Sequence, residues 1–426
     1  MTSPDSNPGP KEKELPSILL VSFRYRPETG AAATRLEALT THWADRGHDV
    51  TVLTTTPDYP DGEIYDGYEN EWIQREEHNG VDVVTTKSIP AAPSDPLPLR
   101  ACKYLWFTFF ALLVGVLWLD RRDVVLATSP QPFAGLVGIA IARIRRAPFV
   151  FEIRDLWPES LVAMGQVDNR VLIRILDSMT DFLYAHADRV AITSPGMEEV
   201  VIEAGGSTEH VWLQTNGIDH TVFAPENADD VSEDLFDERF TLSYVGTIGR
   251  AQGLEVVLNV ASQLQEDGYE DVCFVFIGFG SLYDDLAEQA DESGLENVVF
   301  LGRKSKAEIP NYLHASDGAF IHTKSKEVFK TMIPMKLYEA LGTGLPVVLG
   351  AHGDAVKILN RADAGINVTP EDADDIVDAV KTLRANPKLC RKYGRNGRQY
   401  VVENHSWDAL AETYSERLSQ LVSQSS

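Results

Sequence analysis

Ile18-Leu19-Leu20-Val21-Ser22, then Leu36, Leu39 and Trp43 on one helical face as far as Arg46-Gly47, then Val50-Thr51-Val52-Leu53-Thr54, is the stretch that decides the fold. Its two outer runs are largely apolar, as expected of strands buried on both faces. Between them a loop through Pro27 and Gly30 leads into an amphipathic helix. Two buried strands joined by a helix form a βαβ unit, in which the crossover returns the chain to the same end of the sheet and makes the strands parallel.

The unit recurs. Val124-Val125-Leu126, Phe149 to Ile153, Val190 to Thr193 and Val211-Trp212-Leu213 are further short strands separated by helical stretches. Past Asn216-Gly217-Ile218-Asp219 comes an acidic stretch, Glu226 to Glu238, which reads as an exposed linker. The alternation then restarts at Leu242 to Gly246 and continues through Val272 to Ile277, Val298 to Leu301, Ala319 to His322, Pro346 to Leu349 and Ile366 to Val368. An α/β architecture follows, with two Rossmann-like, doubly wound domains of nearly equal size. Their expected bounds are 17–217 and 239–405, joined by a linker over 218–238. A last amphipathic helix, 406–426, carries Trp407, Leu410, Tyr414 and Leu418 and should cross back onto the first domain. Residues 1–16 are rich in Pro, Ser, Lys and Glu and lack an apolar segment, so they read as a disordered lead-in rather than a signal peptide.

Composition agrees with two ordinary globular domains: 426 residues, 44% apolar and 24% charged. The charge balance is unusual, with 64 Asp and Glu against 38 Lys and Arg and a formal net charge of -26. A surface this acidic cannot release counterions from a phosphate backbone, which excludes nucleic acid as a general partner. Only 14 of the basic residues are lysine, and scarce lysine beside excess carboxylate suits a protein working in high salt, where self-repulsion is screened. Cys102, Cys273 and Cys390 are far apart and form no C-x-x-C, so neither a disulfide framework nor a zinc site is suggested and a reducing cytoplasm fits.

One segment breaks the pattern. Tyr104 to Leu119 carries no charge and is flanked by Arg100 and Lys103 before it and by Asp120, Arg121 and Arg122 after it. It is shorter than the roughly 20 apolar residues a membrane-spanning helix needs. A helix buried in the core is one reading. The other, favoured by aromatics all round the helix (Trp106, Phe107, Phe109, Phe110, Trp118) and by the basic flanks, is a helix over 104–119 whose outer face dips into a membrane surface.

Chemistry concentrates after the strands of the second half. Gly246-Thr-Ile-Gly249 and Gly278-Phe-Gly280 follow strands without completing the G-x-G-x-x-G dinucleotide fingerprint. Glycines there still let a backbone approach a phosphate closely. In Pro334-Met-Lys-Leu-Tyr-Glu-Ala-Leu-Gly-Thr-Gly344 the proline starts a helix, Lys336 sits in its first turn and Glu339 in its second. A lysine in a first turn opposes the helix dipole unless an anion pairs with it. A diphosphate would be such an anion, and the acceptor-only carboxylate of Glu339 suits a pair of sugar hydroxyls. The stretch therefore reads as a sugar-nucleotide site.

At these residues the chain resembles the family 4 retaining glycosyltransferases, close to their colanic-acid and fucosamine-type subgroup. Carrying the resemblance are Pro27-Glu-Thr-Gly30 with Arg35, Gly47 to Leu53, Tyr59-Pro-Asp-Gly62 with Gly67-Tyr68, Arg154-Asp-Leu-Trp-Pro-Glu159, Asn216-Gly-Ile-Asp219, Gly246 to Gly249 with Gln252-Gly253-Leu254, and Lys336-Leu-Tyr-Glu339. The resemblance runs from Ile18 to about Leu421. It implies the GT-B fold, two facing Rossmann-like domains with the site in the cleft between them. It also implies transfer of a sugar with retention from a nucleotide-diphosphate donor, read here as a UDP-sugar; positive side chains and helix N-termini are expected to neutralise the diphosphate, without a metal or other cofactor.

Residue by residue, Glu339 matches the second glutamate of the family's E-x7-E motif, which holds the ribose. The first glutamate is missing, because Thr331 stands in its place, and Gln252 stands where the family usually has a lysine. Arg250, Lys336 and Arg303 remain to neutralise the leaving diphosphate, with Gly246, Gly249 and, across the cleft, Gly30 against the phosphates. Asp155, at the carboxyl end of a buried strand, is a candidate to orient the acceptor or act as base, its alternative role being the N-cap of a helix beginning near Pro158. Asp372-Ala-Asp374 has the form of a metal-binding D-x-D but opens a helix after Thr369-Pro370, where acids favour the dipole. His48 reads as a turn residue and His322 as a satisfied structural histidine.

The reading that follows is a glycosyltransferase at the inner face of the cell membrane, cytoplasmic and peripheral, acting on a polyprenyl-linked acceptor in surface polysaccharide or glycoprotein glycan synthesis. Two other readings stay open: a nucleotide-sugar epimerase on the same fold, and a non-catalytic nucleotide-sugar-binding subunit, which the threonine at 331 keeps alive.

Overall fold

The structure is a computed structural model and describes residues 15–28, 30–224 and 228–425. The first fourteen residues of the lead-in, and Pro225 to Asn227 of the linker, lie outside the described residues. In the first half the strands are β1 (Ile18–Val21), β2 (Val50–Thr55), β3 (Ile73–His78), β4 (Val81–Thr86), β5 (Val124–Thr128), β6 (Phe149–Ile153), β7 (Arg189–Ile192) and β8 (Val211–Leu213). They form one sheet in the order β3-β4-β2-β1-β5-β6-β7-β8, parallel except for the β3–β4 pair. Helices α1 (Ala31–Asp45), α2 (Leu97–Leu117), α3 (Pro132–Arg145), α4 (Glu159–Ala163), α5 (Arg170–His186) and α6 (Met197–Glu203) connect them.

The second sheet contains β9 (Phe240–Val245), β10 (Val272–Ile277), β11 (Val298–Gly302), β12 (Gly318–His322), β13 (Val347–Gly350) and β14 (Gly365–Val368), all parallel in the order β11-β10-β9-β12-β13-β14. Its helices are α7 (Leu235–Glu238), α8 (Val256–Glu266), α9 (Tyr283–Glu292), α10 (Ile309–Ala315), α11 (Met335–Thr343), α12 (Asp354–Ala362), α13 (Ala373–Ala385) and α14 (Pro387–Asn404). β1, β2, β5, β6, β10, β12 and β13 are buried at every position, which is why their apolar residues are not confined to alternate positions.

Three elements differ from the sequence expectation. The β3–β4 hairpin was not foreseen, because Ile73-Gln-Arg-Glu-Glu-His78 is polar and half-exposed at the edge of the sheet. Its turn is Asn79-Gly80, both with positive φ (48° and 73°), the dipeptide that favours two-residue hairpin turns. Helix α2 begins at Leu97 rather than Tyr104, and Lys103, taken as a basic flank, is buried inside it. The acidic linker is partly folded: Phe236 of α7 packs with Cys273, Val275 and Tyr312, since the apolar residues between its carboxylates have an edge to cover.

Two chain crossings join the domains side by side. Ile218 N donates to His405 O at 2.8 Å and Trp407 N to Ile218 O at 3.2 Å. Beyond them α15 (Trp407–Ser425) lies on α1 of the first domain. There Trp43 Nε1 donates to Ala411 O at 3.1 Å, and His48 holds Ser415 Oγ at 2.6 Å and Pro16 O at 2.7 Å. Buried Arg35 pairs with Glu152 at 3.0 Å and donates to the carbonyls of Gln214 and Thr215, anchoring the first crossing.

Candidate active site

Carboxyl ends of parallel strands and amino ends of the following helices meet at one edge of each sheet, so the cleft between the domains collects the loops of both. On the second-domain side, Gly246 ends β9 and Gly278 ends β10 with φ of 125° and 144°. A Cβ on Gly278 would overlap the carbonyl oxygen of Gly246, and one on Gly280 would overlap that of Ile248, so the two loops pack backbone to backbone. Gly278→Ala should cost about 1–3 kcal/mol through strain and displacement of this pair. A drop of several degrees in the unfolding midpoint checks this, and an unchanged midpoint would show that the loops are not in contact.

Beneath the Gly246 loop lies the start of α11. Lys336 Nζ donates to Tyr244 Oη at 2.5 Å and stands 3.7 Å from the centre of that ring. A Cβ on Gly246 would come within 3.0 Å of Lys336 Nζ, so the glycine leaves room for the ammonium. No carboxylate lies within ion-pair distance of Lys336 among the described residues. Burial pulls its pKa down to about 7, opposed only by the charge of Glu339. Burial also raises the pKa of Glu339, whose half-buried carboxylate has no hydrogen-bond partner among the described residues. Arg250 is exposed at the same edge and Gly249 is buried.

Arg303 is already engaged. It forms a two-pronged pair with Asp61 of the first domain, at 2.9 and 3.0 Å, and lies 4.9 Å from the ring centre of Phe279. Thr331 ends a 3-10 turn, Glu327–Thr331, and its Oγ1 donates to Val328 O at 2.9 Å. Its methyl abuts Gly196 of the first domain, where a Cβ would meet Thr331 Cγ2 at 3.0 Å and Asp354 Oδ2 at 2.9 Å. Buried Asp354, at the start of α12, accepts from Ser194 Oγ and from Gly196 N (2.6 Å) across the domain seam and from Lys357 at 2.8 Å. Burial by itself would raise the pKa of Asp354, but the bonds from Lys357, Ser194 and Gly196 outweigh it and hold the group below the usual carboxylate range.

On the first-domain side, Gly30 precedes α1 with φ 142°, a conformation open to glycine, and faces Tyr59. A charged network missed in the sequence lies behind it. Glu28 accepts from the backbone nitrogens of Asp58 and Tyr59, both at 3.1 Å, and from Arg24 at 3.1 Å, while Lys103 donates to Asp58 at 2.5 and 2.6 Å. Desolvation lowers the Lys103 pKa, partly offset by Asp58. Glu28 and the Tyr59-Pro-Asp-Gly turn carried part of the family resemblance, but Lys103 lies 45 residues from Asp58 and left no local trace. Asp155 follows β6 and does not cap α4, whose start has no side-chain cap. Its carboxyl has no hydrogen-bond partner among the described residues, and burial raises its pKa against the charge of Arg154.

The remaining candidates are structural. His322 is buried, with Nδ1 on Gln252 O at 2.6 Å and Nε2 accepting from Glu371 N at 2.9 Å, so the ring is neutral and satisfied. Asp372 caps α13 by accepting from Asp375 N at 3.2 Å, and Asp374 accepts from Gln263 at 3.1 Å.

Two facing α/β domains thus hold, at the start of α11, a cation without an ion-pair partner and a carboxylate without a hydrogen-bond partner among the described residues. Comparison with known proteins gives the class: residues 30–217 match the glycosyl transferase 4-like domain and residues 225–400 the glycosyl transferases group 1 domain. The chain belongs to the family 4 glycosyltransferases and is a transferase of GT-B fold. It is 25% identical over 395 residues to the colanic acid biosynthesis glycosyl transferase WcaI of Escherichia coli (strain K12), covering 88% of this chain and 95% of that one. Among solved structures it is similar in fold to sucrose-phosphate synthase from Thermosynechococcus elongatus, with a TM-score of 0.74, 17% identity and coverage of 96% and 100%. Anabaena HepE, solved in complex with UDP-glucose, gives a TM-score of 0.67 at 17% identity, covering 95% of this chain and 99% of that one.

Proposed function

We propose that the enzyme moves a sugar from a uridine-diphosphate donor to a polyprenyl-linked acceptor at the inner face of the cell membrane, with retention and without metal. One observation carries the donor half: Lys336 is a half-buried cation with no carboxylate at ion-pair distance among the described residues, at a helix start that a diphosphate would complete. In this reading Arg250 and Lys336 neutralise the leaving diphosphate, and Glu339 accepts the ribose hydroxyls. Gly30 and Gly246 let backbone approach the phosphates. The UDP complexes of HepE support the choice of nucleotide.

In the transfer itself the bond from the anomeric carbon to the phosphate oxygen breaks. The acceptor oxygen attacks from the same face, and its proton passes to the leaving phosphate oxygen. Asp155, free of other partners, orients the acceptor hydroxyl. Asp155→Asn should lower turnover by about 10²–10⁴-fold with donor binding intact. Full turnover in that variant would remove Asp155 from the chemistry.

The acceptor half rests on α2. It is long and apolar enough to cross a membrane. Phe107, Ala111 and Val114 nevertheless lie in the first-domain core and Lys103 is paired with Asp58, so α2 is read as lying on a membrane rather than spanning it. Incubation with radiolabelled nucleotide sugars and native lipid extract separates the readings. Label in the lipid fraction is the expected result. A new free nucleotide sugar would show an epimerase, and binding without turnover a non-catalytic subunit. The excess of acid elsewhere on the surface is read as adaptation to a saline cytoplasm.

A further inference from the structure

Exposed large apolar side chains are distributed unevenly. Of the eighteen among the described residues, twelve belong to α2 with its C-cap Trp118, to α3, α4 and α5, whereas the second domain from β9 onward exposes Phe279 alone. They form two ridges. On α2, Leu105, Phe109, Leu113 and Leu117 recur every four residues and are 60%, 61%, 40% and 66% exposed. On α5, Val171, Ile175 and Phe182 form a second stripe, 64%, 52% and 43% exposed. Helix α3 lies between the ridges and is drawn close to both: Gly115 of α2 sits flush on Ile141 of α3, and a Cβ on Gly135 of α3 would meet Leu183 of α5 at 2.5 Å. An apolar trough lined by Leu136 of α3 and by Ile175, Met179 and Phe182 of α5 runs along this face.

The charge of this face differs from that of the whole. Residues 97–186 hold ten Lys and Arg against eight Asp and Glu, in a chain of net charge -26. Arg121, Arg143, Arg146 and Arg174 are exposed, and none has a carboxylate within ion-pair distance among the described residues. The carboxyl ends of α2 and α3 lie together, Arg145 donating to the carbonyls of Val116 at 2.6 Å and Leu119 at 2.8 Å, so Arg121, Arg143, Arg146 and Trp118 gather at one end of the ridges, while Arg174 stands in the second turn of α5.

We infer that α5 is the second half of the membrane-binding surface, and that an anionic phospholipid bilayer is seated on both ridges at once with its headgroups on these arginines. Apolar ridges enter the acyl boundary while guanidinium groups meet phosphate, a pairing that an acidic protein surface would otherwise repel. In a parallel sheet the helices after β5 and β6 begin at the cleft edge, so a protein lying on this face presents its cleft beside the bilayer. This inference rests on the reading that the acceptor is lipid-linked.

The test is sedimentation of the full chain with vesicles of phosphatidylglycerol and phosphatidylcholine, and with phosphatidylcholine alone, at about 0.1 M salt. Three variants are compared: Leu105→Asp with Phe109→Asp on α2, Ile175→Asp with Phe182→Asp on α5, and Arg143→Glu with Arg146→Glu. UDP binding by calorimetry and the monomer mass by light scattering serve as folding controls. Wild type should sediment with the anionic vesicles only, and each variant should lose about tenfold or more in partitioning while still binding UDP. Loss in the α2 variant alone would overturn the role of α5 and leave the membrane reading standing. Wild-type sedimentation by all three, or none by wild type, would overturn the membrane reading itself. A dimer that dissociates in the α5 variant would show that a second copy of the chain covers this face instead.

Discussion

Lys336→Met is expected to lower kcat/KM for the nucleotide sugar by about 10²–10³-fold, the effect of removing one preorganised charge from a leaving group. In the free protein the ammonium rests on the Tyr244 hydroxyl and ring with no carboxylate at ion-pair distance among the described residues, and burial, opposed by the charge of Glu339, brings its pKa to about 7. The sign of the pH dependence follows. An unfolded chain keeps this proton up to about pH 10.4, so the unfolded state binds more protons between about 7 and 10.4, and stability of the free protein rises with pH over that window. Below about pH 7 both states are protonated and the full penalty of the buried charge is present. Methionine removes that penalty, so the variant should melt higher than wild type at pH 6 while losing the donor. A bound diphosphate restores the charge, so UDP binding above about pH 7 should take up a proton and weaken as pH rises. Calorimetry in buffers of different ionisation enthalpy reads the proton directly. A variant with unchanged kcat/KM would remove Lys336 from the donor site.

Thr331→Glu, which restores the glutamate of the family's E-x7-E motif, is expected to impair this enzyme rather than improve it, by about a hundredfold in kcat/KM. Gly196 of the first domain touches both Thr331 and the Asp354 carboxylate, so a glutamate at 331 would set a second negative charge against a buried one. Asp354 is committed to Ser194 Oγ and Gly196 N across the seam. The 3-10 turn before Thr331 is wedged in place, since Gly353 packs on the Lys330 carbonyl and Val328 reaches the core of the first domain. Asp354→Ala should raise the donor KM about tenfold or more and expand the free protein in small-angle scattering, because the buried Ser194 hydroxyl, at about 1–3 kcal/mol, and the half-buried Gly196 nitrogen lose their acceptor. Combining Thr331→Glu with Asp354→Asn should recover part of the activity, the two carboxylates being close enough to couple. A Thr331→Glu enzyme as active as wild type would sink this account of the seam.

Particular residues show how far local reading reached. Lys336 and Glu339 were singled out from helix grammar and their place in the second α/β unit, because a cation in a first turn opposes the dipole, and the structure leaves both without an ion-pair partner among the described residues. The β3–β4 hairpin was missed for want of an apolar run, although Asn79-Gly80 announced its turn. Lys103 looked like a lipid-facing flank and is a buried partner of Asp58. Arg303 looked like a free diphosphate ligand and is paired with Asp61, 242 residues away.

By itself the sequence determined the two α/β units, the parallel strands at the centre of each sheet and the crossing back of the last helix. It could do so because a strand buried on both faces must be apolar along its length, and a helix on a core must be apolar every third or fourth residue. Only the tertiary structure decided which charges face each other and which are left without an ion-pair partner among the described residues. Those pairings join residues 45, 160 and 242 positions apart, the first within one domain and the other two across the seam, and no short-range pattern records a contact between side chains so distant in the chain.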